Sequence, residues 1–394
     1  MILPEILLIL LTVALLVPVS VLFIQVLSAL PPHRARAKPG GRRPALAIIV
    51  PAHNESLLIA HTLRSIGSQL TVDDRLLVVA DNCTDDTARI AAADGAEVIE
   101  RNHSTQRGKG YALDFGVRHL AQDPPEVVLI IDGDCTVAGD AIERLAKTCL
   151  MTGRPVQALY LMHAPAGAGL KTRIASFAWL VKNQVRPLGF HRFGLPCQLM
   201  GTGMAFPWPV ISQAALATGH IVEDLKLGID LSRAGMPPLF CPEASVSSHF
   251  PVTRQGFADQ RKRWEHGHLG MISGVAPRLF VHALLRGNLP LLALALDLCV
   301  PPLALLMLLV VTAFAGGAAW FAFSGATLPL WLATTALGMS AAAVLLAWNS
   351  HGRSVISLGD LAYAPLYALW KIPLYLKFVA KRQGAWVRTR RDTE

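Results

Sequence analysis

Residues 1–30, MILPEILLILLTVALLVPVSVLFIQVLSAL, carry a single charge, Glu5. Their roughly 27 consecutive apolar or weakly polar positions are long enough to span a bilayer with some tilt. From Leu289 to about Ala380 the chain is apolar again, and the stretch between has ordinary soluble composition. Runs this long must be hidden from water, so the pattern requires a globular domain bracketed by membrane elements. The whole chain is 53% hydrophobic and 16% charged, a charge share below that of an ordinary soluble domain. The first segment lacks a basic n-region and its apolar run is too long for a cleaved signal peptide, so it reads as a retained helix.

The basic residues Arg34, Arg36, Lys38, Arg42 and Arg43 follow at once. Such a cluster stays cytoplasmic, which points the N-terminus outward and the globular domain to the cytosol. Much of the +9 net charge sits beside membrane segments. Attraction to anionic lipid explains it better than nucleic-acid binding, and no nucleic-acid partner is expected. The six cysteines Cys83, Cys135, Cys149, Cys197, Cys241 and Cys299 are scattered without paired metal spacing. They read as thiols in a reducing compartment, not as zinc ligands.

Within the soluble stretch, short apolar runs alternate with helical patterns. Strands are expected at 45–55, 75–82, 96–101 and 126–135, with helices near 57–70, 84–95 and 107–123 between them. That alternation predicts βαβ units and a parallel sheet. Ligands of such sheets bind beyond the carboxyl ends of the strands, where Asn54, Asp81, Asp132 and Asp134 should converge. Helical patterns resume at 168–190, 209–218, 222–234 and 253–273. Asp297 and two prolines interrupt 289–302, which reads as interfacial or re-entrant, ahead of a hairpin of two membrane-length runs. The tail from about residue 360 is aromatic, basic and apolar by turns, as an interfacial amphipathic helix should be.

Several motifs carry chemistry. IDGDC aims Asp132 and Asp134 into one cleft, and hard divalent cations take a few carboxylates with phosphate oxygens and water; a loop of solvated acids has the same spelling. Asp81 in ADN either accepts from a nucleobase or caps the helix that begins near Thr84. Lys109 opens a glycine-rich helix, where ammonium and backbone N–H groups suit phosphate, although RGKGYAL is no ATPase P-loop. GTGMAF (201–206) is no dinucleotide fingerprint. Glu223 and Asp224 either complement a helix dipole or supply a general base. Gln260, Arg263 and Trp264 share one helical face, where arginine can clamp a diphosphate and indole can stack on a sugar; an aromatic-basic belt at the membrane would look alike.

PAHNE, ADN, RGKG, DGD, GTGM, VED and QRKRW occur in this order. Over roughly residues 45–275 the chain thereby resembles glycosyltransferase family 2, in the membrane-embedded branch of cellulose, chitin, hyaluronan and poly-N-acetylglucosamine synthases. The resemblance implies an α/β, Rossmann-like GT-A domain with transmembrane and interfacial helices at both ends. Its divisions are a transmembrane helix at 1–30, a basic linker at 31–44, the cytosolic GT-A domain at 45–275, an interfacial or re-entrant segment at 276–302, a transmembrane hairpin at 303–348, and an interfacial helix with a basic cytosolic tail at 349–394.

The resemblance further implies that Asn54, Glu55, Asp81, Lys109, Asp132, Gln260 and Arg263 bind a nucleoside-diphosphate sugar, a UDP-sugar by preference. Asp132 and Asp134 would hold Mg²⁺ or Mn²⁺, and Asp224 with Glu223 would provide the base. Gly201, Thr202 and Trp264 would lie on the acceptor side. The implied reaction inverts the anomeric centre and delivers sugar to a lipid, a lipid-linked saccharide or a short chain in a bacterial inner membrane. FPVTRQG resembles the gating loop of processive synthases but precedes QRKRW. Ceramide glucosyltransferases share the motifs without polymerising, so single or short transfer is expected ahead of processive synthesis, and ahead of an idle nucleotide-sugar-binding scaffold. Arg261 and Lys262 are expected to turn toward lipid. His249, His266 and His268 have no assigned role, and a packed or hydrogen-bonded state is the expectation for the last two.

Overall fold

The structure is a computed structural model that describes residues 2–33 and 37–380. The basic tail from Lys381 onward, and Arg34 and Arg36 of the linker, lie outside the described residues. The chain divides into two units. Of the described residues, one contains 37–163 and 195–257; the other contains 2–33, 164–194 and 258–380.

The first unit is built on eight strands: β1 (Leu46–Ala52), β2 (Arg75–Asp81), β3 (Glu97–Arg101), β4 (Val127–Ile130), β5 (Thr136–Val137), β6 (Val156–His163), β7 (Met204–Pro207) and β8 (Leu239–His249). They form one sheet in the order β3-β2-β1-β4-β7-β6-β8-β5. The central runs AIIV, LVV and VVLI are buried along their length, as strands covered on both faces must be. Helices Lys109–Leu120 and Glu223–Arg233 pack on that sheet, setting Leu113, Val117, Leu227 and Leu231 against Ile49, Val79 and Phe206.

The expected parallel arrangement holds for β3, β2, β1 and β4. Beyond them the sheet is mixed: β6 and β8 are parallel to each other, but β7 runs antiparallel to both β4 and β6, and β5 antiparallel to β8. A βαβ crossover is what forces strands parallel. No such crossover joins β4 to β7, since β6 and the 164–194 excursion intervene. The helix expected over 209–218 shortens to Trp208–Ile211. After it the chain turns, and Leu216 is buried in the core beside the start of helix Lys109–Leu120.

In the second unit, helices Ile2–Ala29 and Leu303–Ser324 and the segment Leu328–Gly352 are long and apolar enough to cross a membrane. The interrupted region forms two short helices, Ala276–Leu285 and Leu289–Leu298. Asp297, the charge that broke the apolar pattern, is buried in a polar knot. Arg186 donates to its carboxylate and its carbonyl at 2.7 Å each, and Gln25 donates to the same carboxylate at 2.7 Å. Arg186 also donates to the Gln25 side-chain oxygen at 3.1 Å, so three buried groups satisfy one another across the first helix, helix Arg186–His191 and helix Leu289–Leu298. His268 hydrogen-bonds the Leu298 carbonyl and His266 the Leu374 carbonyl, each at 3.1 Å, as the packed state requires. Arg261 is not on the lipid side: it is buried, stacked over Tyr367 and Trp370.

Breaking a buried pair by removing one partner strands a charge, which costs about 3–5 kcal/mol. Arg186→Met should therefore lower the unfolding midpoint of the detergent-solubilised protein sharply, and Arg186→Met/Asp297→Leu should recover most of the loss in the same thermal scan.

A second test concerns the entry to β1. Arg42 pairs with Glu126, and the Ala45 N–H donates to the same carboxylate at 3.0 Å. The arginine first, and then that N–H, lower the Glu126 pKa from 4.5 to about 2. A depressed carboxylate stabilises the fold above its unfolded pKa and loses that contribution as pH falls through its folded one. The pair is exposed and screened, so the effect is small. The melting difference between wild type and Glu126→Gln should hold at neutral pH and close between pH 4.5 and about 2.

Candidate active site

The loops after β1 and β2 meet at the carboxyl edge of the sheet. Asn54 and Asn82 both adopt positive φ, 55° and 52°, a conformation asparagine accepts more readily than most residues. The Asn54 side chain donates to the Thr84 hydroxyl at 3.0 Å and accepts from the Thr84 N–H at 2.7 Å, which locks the two loops together. His53, Asn54, Asp81, Asn82, Thr84 and Arg107 line a cavity of about 220 Å³.

Asp81 stands in this wall, and its carboxylate is already engaged. Buried Arg101 donates to it at 2.6 Å and Asn82 at 3.0 Å. Arg101 also donates to the Gln106 carbonyl and lies 5.4 Å from the Tyr111 ring centre. It is a residue the motifs do not announce, since its place depends on β3 pairing beside β2. Asp81 does not cap the following helix. Asp85, just ahead of that helix, accepts from the Thr87 N–H at 3.0 Å and from the Ser56 N–H at 3.1 Å. Burial pushes the Asp85 pKa up, and the bonds from Thr87 and Ser56 more than reverse it. Glu55 is buried beneath the DGD loop and not in the cavity wall: its N–H donates to the Thr87 hydroxyl, and its side chain packs under Gly133.

Lys109 is the centre of the second cluster. Its ammonium pairs with Asp132 and donates to the Gly201 carbonyl at 2.7 Å. A Cβ placed on Gly201 would lie 3.3 Å from Asp224 and 3.7 Å from the Lys109 ammonium, so GTGM, VED and RGKG share one point in space. Helix Lys109–Leu120 comes this close because residue 110 is glycine; a Cβ there would sit 2.5 Å from the Leu216 carbonyl oxygen. Burial opposes the charge on Lys109, yet Asp132, Glu223 and Asp224 together raise its pKa. Burial also raises the pKa of Asp132 against the pull of Lys109, with Asp134 and Asp224 adding to the rise.

The loop carrying Gly201 is held from below. Thr202 is wholly buried, and its hydroxyl accepts from the Asp132 N–H at 3.0 Å, so it shapes the site from beneath and does not face a cleft. Gln157, a buried mid-strand residue without any motif to mark it, donates to the Thr202 carbonyl and accepts from the Met200 N–H. Gln260, Arg263 and Trp264 belong to the other unit, on helix Arg254–Gly274. There Trp264 packs on Trp179 at 4.6 Å between ring centres, and the buried Gln260 side-chain oxygen finds no donor among the described residues.

Residues 44–267 match the family described as Glycosyltransferase like family 2, more than half of the chain. The chain belongs to that family. Among curated relatives it is similar to the 4,4'-diaponeurosporenoate glycosyltransferase of Staphylococcus aureus (strain USA300), 35% identical over 126 residues, covering 31% of this chain and 32% of that one. It is also similar to the enzyme of the same name from Staphylococcus haemolyticus (strain JCSC1435), 27% identical over 267 residues, 63% of this chain and 64% of that one. The matches thus span from about a third to just under two thirds of those relatives. Among solved structures it is similar to the mannosyltransferase PcManGT from Pyrobaculum calidifontis in complex with GDP-Man and Mn²⁺, with TM-score 0.57 and 16% identity, covering 95% of this chain and 100% of that chain. At that identity the likeness speaks for the GT-A-like fold alone.

A glycosyltransferase of this family can be tested for a divalent cation on its own donor set. Asp132, Asp134, Glu223 and Asp224 carry more negative charge than Lys109 balances. Among the described residues no three His, Cys, Asp or Glu side chains form a ready cage. Two partly exposed aspartates fit an ion that completes its shell with substrate phosphate and water.

Because Lys109 ties Asp132, Gly201 and Asp224 together, Lys109→Met should leave the far-ultraviolet circular dichroism unchanged. Sugar transfer, measured by nucleotide release, should fall about 10²-fold, the scale of losing one preorganised charge donor.

Proposed function

We propose that this family 2 glycosyltransferase moves one sugar, or a short run of sugars, from a nucleoside-diphosphate sugar to a membrane-associated acceptor with inversion. The observation that carries the reading is the convergence of Lys109, Asp132, Gly201 and Asp224. The cavity walled by Asn54 and Asp81 would take the nucleoside, a UDP-sugar by preference, with Asp81 held rigid by Arg101. Asp132 and Asp134 would hold Mg²⁺ or Mn²⁺, which would neutralise charge on the departing diphosphate.

The chain's own residues do the remainder. Asp224 takes the proton of the acceptor hydroxyl, and Glu223 beside it in the first helical turn shares that acidic environment. The acceptor oxygen bonds to the anomeric carbon from the face opposite the diphosphate. The bond to the phosphate oxygen breaks, and its electron pair leaves with the nucleotide. Lys109 keeps the carboxylates from repelling one another while this occurs. Arg263 supplies a bidentate clamp for the diphosphate, Trp264 a surface for the acceptor sugar, and Gln260 an open hydrogen-bond acceptor.

A lipid-type acceptor is supported by the relatives' printed name and by the three helices long and apolar enough to cross a membrane. The same features favour single transfer over processive synthesis. The basic flank of the first helix supports a bacterial inner-membrane location with the catalytic domain in the cytosol.

The test is a panel of UDP- and GDP-sugars on native membranes, with mass analysis of lipid products. One added hexose fits the reading, whereas a ladder of masses would replace it with processive synthesis. Asp224→Asn should lower kcat by about 10²–10⁴-fold while donor affinity stays put, as loss of a general base does. Exhaustive chelation should abolish transfer and added Mn²⁺ restore it; activity that survives chelation would remove the metal from the scheme.

A further inference from the structure

Helix Arg254–Gly274 presents its motif residues beside a second set that the motif does not include. Arg261 and Glu265 follow Gln260 and Trp264 by one residue each, about 100° further round the helix. Both are buried or nearly so, and they are paired with each other at 3.7 Å. What covers them is the C-terminal segment. Tyr367, Lys371 and Tyr375, spaced every fourth residue across helices Ala364–Trp370 and Ile372–Ala380, are all buried. Lys371 forms an ion pair with Glu265. Arg261 lies 5.2 Å from the Tyr367 ring centre and 5.7 Å from that of Trp370. His266 adds a hydrogen bond to the Leu374 carbonyl and an edge contact with Phe378 at 5.4 Å.

The opposite face of the same segment, with Leu366, Leu369, Leu376 and Val379, is exposed and apolar. The segment therefore has an outer face suited to lipid, and an inner face on which Lys371 pairs with Glu265 and the Tyr367 ring lies against Arg261. A helix needed only as an anchor would have no use for a buried lysine, since burying an ammonium and a carboxylate is costly and fixes geometry more than it adds stability. The cost is repaid if the orientation of Gln260, Arg263 and Trp264 matters.

We propose that Lys371 and Glu265 are positioning residues for glycosyl transfer. Through the Lys371–Glu265–Arg261 cluster the C-terminal helices hold the rotation of the helix that carries Gln260, Arg263 and Trp264. The proposal rests on the role given to those three residues under the proposed function. It makes the C-terminal segment part of the enzyme's working geometry as well as its membrane attachment.

The experiment uses the full chain in lipid nanodiscs, with UDP-glucose and GDP-mannose as donors and nucleotide release and lipid products as readouts. Binding of UDP in the presence of Mn²⁺ is measured in parallel. Lys371→Met should lower kcat by about tenfold or more and, because Arg263 grips the diphosphate, weaken UDP binding by a smaller factor. Lys371→Arg, and the exchange Glu265→Lys/Lys371→Glu, should recover most of the lost kcat. If Lys371→Met does not fold, Glu265→Gln, of the same shape, carries the test with the same expected split.

A folded variant with wild-type kcat overturns the relay, and so does a fall in kcat that Lys371→Arg fails to recover. Arg263→Ala is run beside them. Wild-type activity in that variant would overturn the motif's role and the relay with it, whereas a dead Arg263→Ala and a fully active Lys371→Met would overturn the relay alone. A wild-type chain that transfers no sugar from any donor would overturn the proposed function itself.

Discussion

Four carboxylates gathered at the edge of a sheet repel one another, and the ammonium of Lys109 is what lets Asp132, Glu223 and Asp224 stand together. Its position is set by backbone as much as by charge. The Gly201 carbonyl accepts from it, and Gly110 lets its helix approach the Leu216–Thr218 turn without obstruction. The same ammonium therefore fixes the loop after the 164–194 excursion against the strand end that bears the aspartates. Charge left over after this pairing is negative, which suits a hard divalent cation that keeps coordination positions for phosphate oxygens and water.

The second unit solves a different problem with the same means. Three of its helical segments are long and apolar enough to cross a membrane, and in a bilayer such helices would have little hydrophobic reason to choose one another, because lipid tails are as apolar as leucine. Specific polar contacts then decide the packing. Arg186, Gln25 and Asp297 hydrogen-bond one another, and such a network specifies one arrangement where apolar contacts would allow several. Asp297 interrupts an otherwise apolar run because it is the hub of that network.

The parallel half of the sheet was legible because β1, β2 and β4 are buried on both faces and so read as continuous apolar runs. The mixed half was not. β7 has four residues, and β8 mixes proline, glutamate and serine, so neither shows a clear period. The residues of the candidate site were visible as motifs, but their supports were hidden. Arg101 and Gln157 act through strand pairing and loop contacts that no short pattern encodes. Glu55 and Thr202 sit inside recognisable motifs and yet face the interior, because a motif marks a stretch of backbone and not the direction of each side chain.

Arg261 shows the limit most clearly. In sequence it is one base among several beside a membrane, and lipid headgroups are the economical partner for such a residue. In the structure it is buried between Glu265 and two aromatic rings contributed by a segment about a hundred residues later. The difference arises because helical position alone gives the face of a residue and not what lies against that face. One face of helix Arg254–Gly274 is covered by the C-terminal segment, through the ion pair of Glu265 with Lys371 and the bond of His266 to the Leu374 carbonyl. The partner of each polar group there is set by where a later segment packs, which the spelling of the motif does not contain.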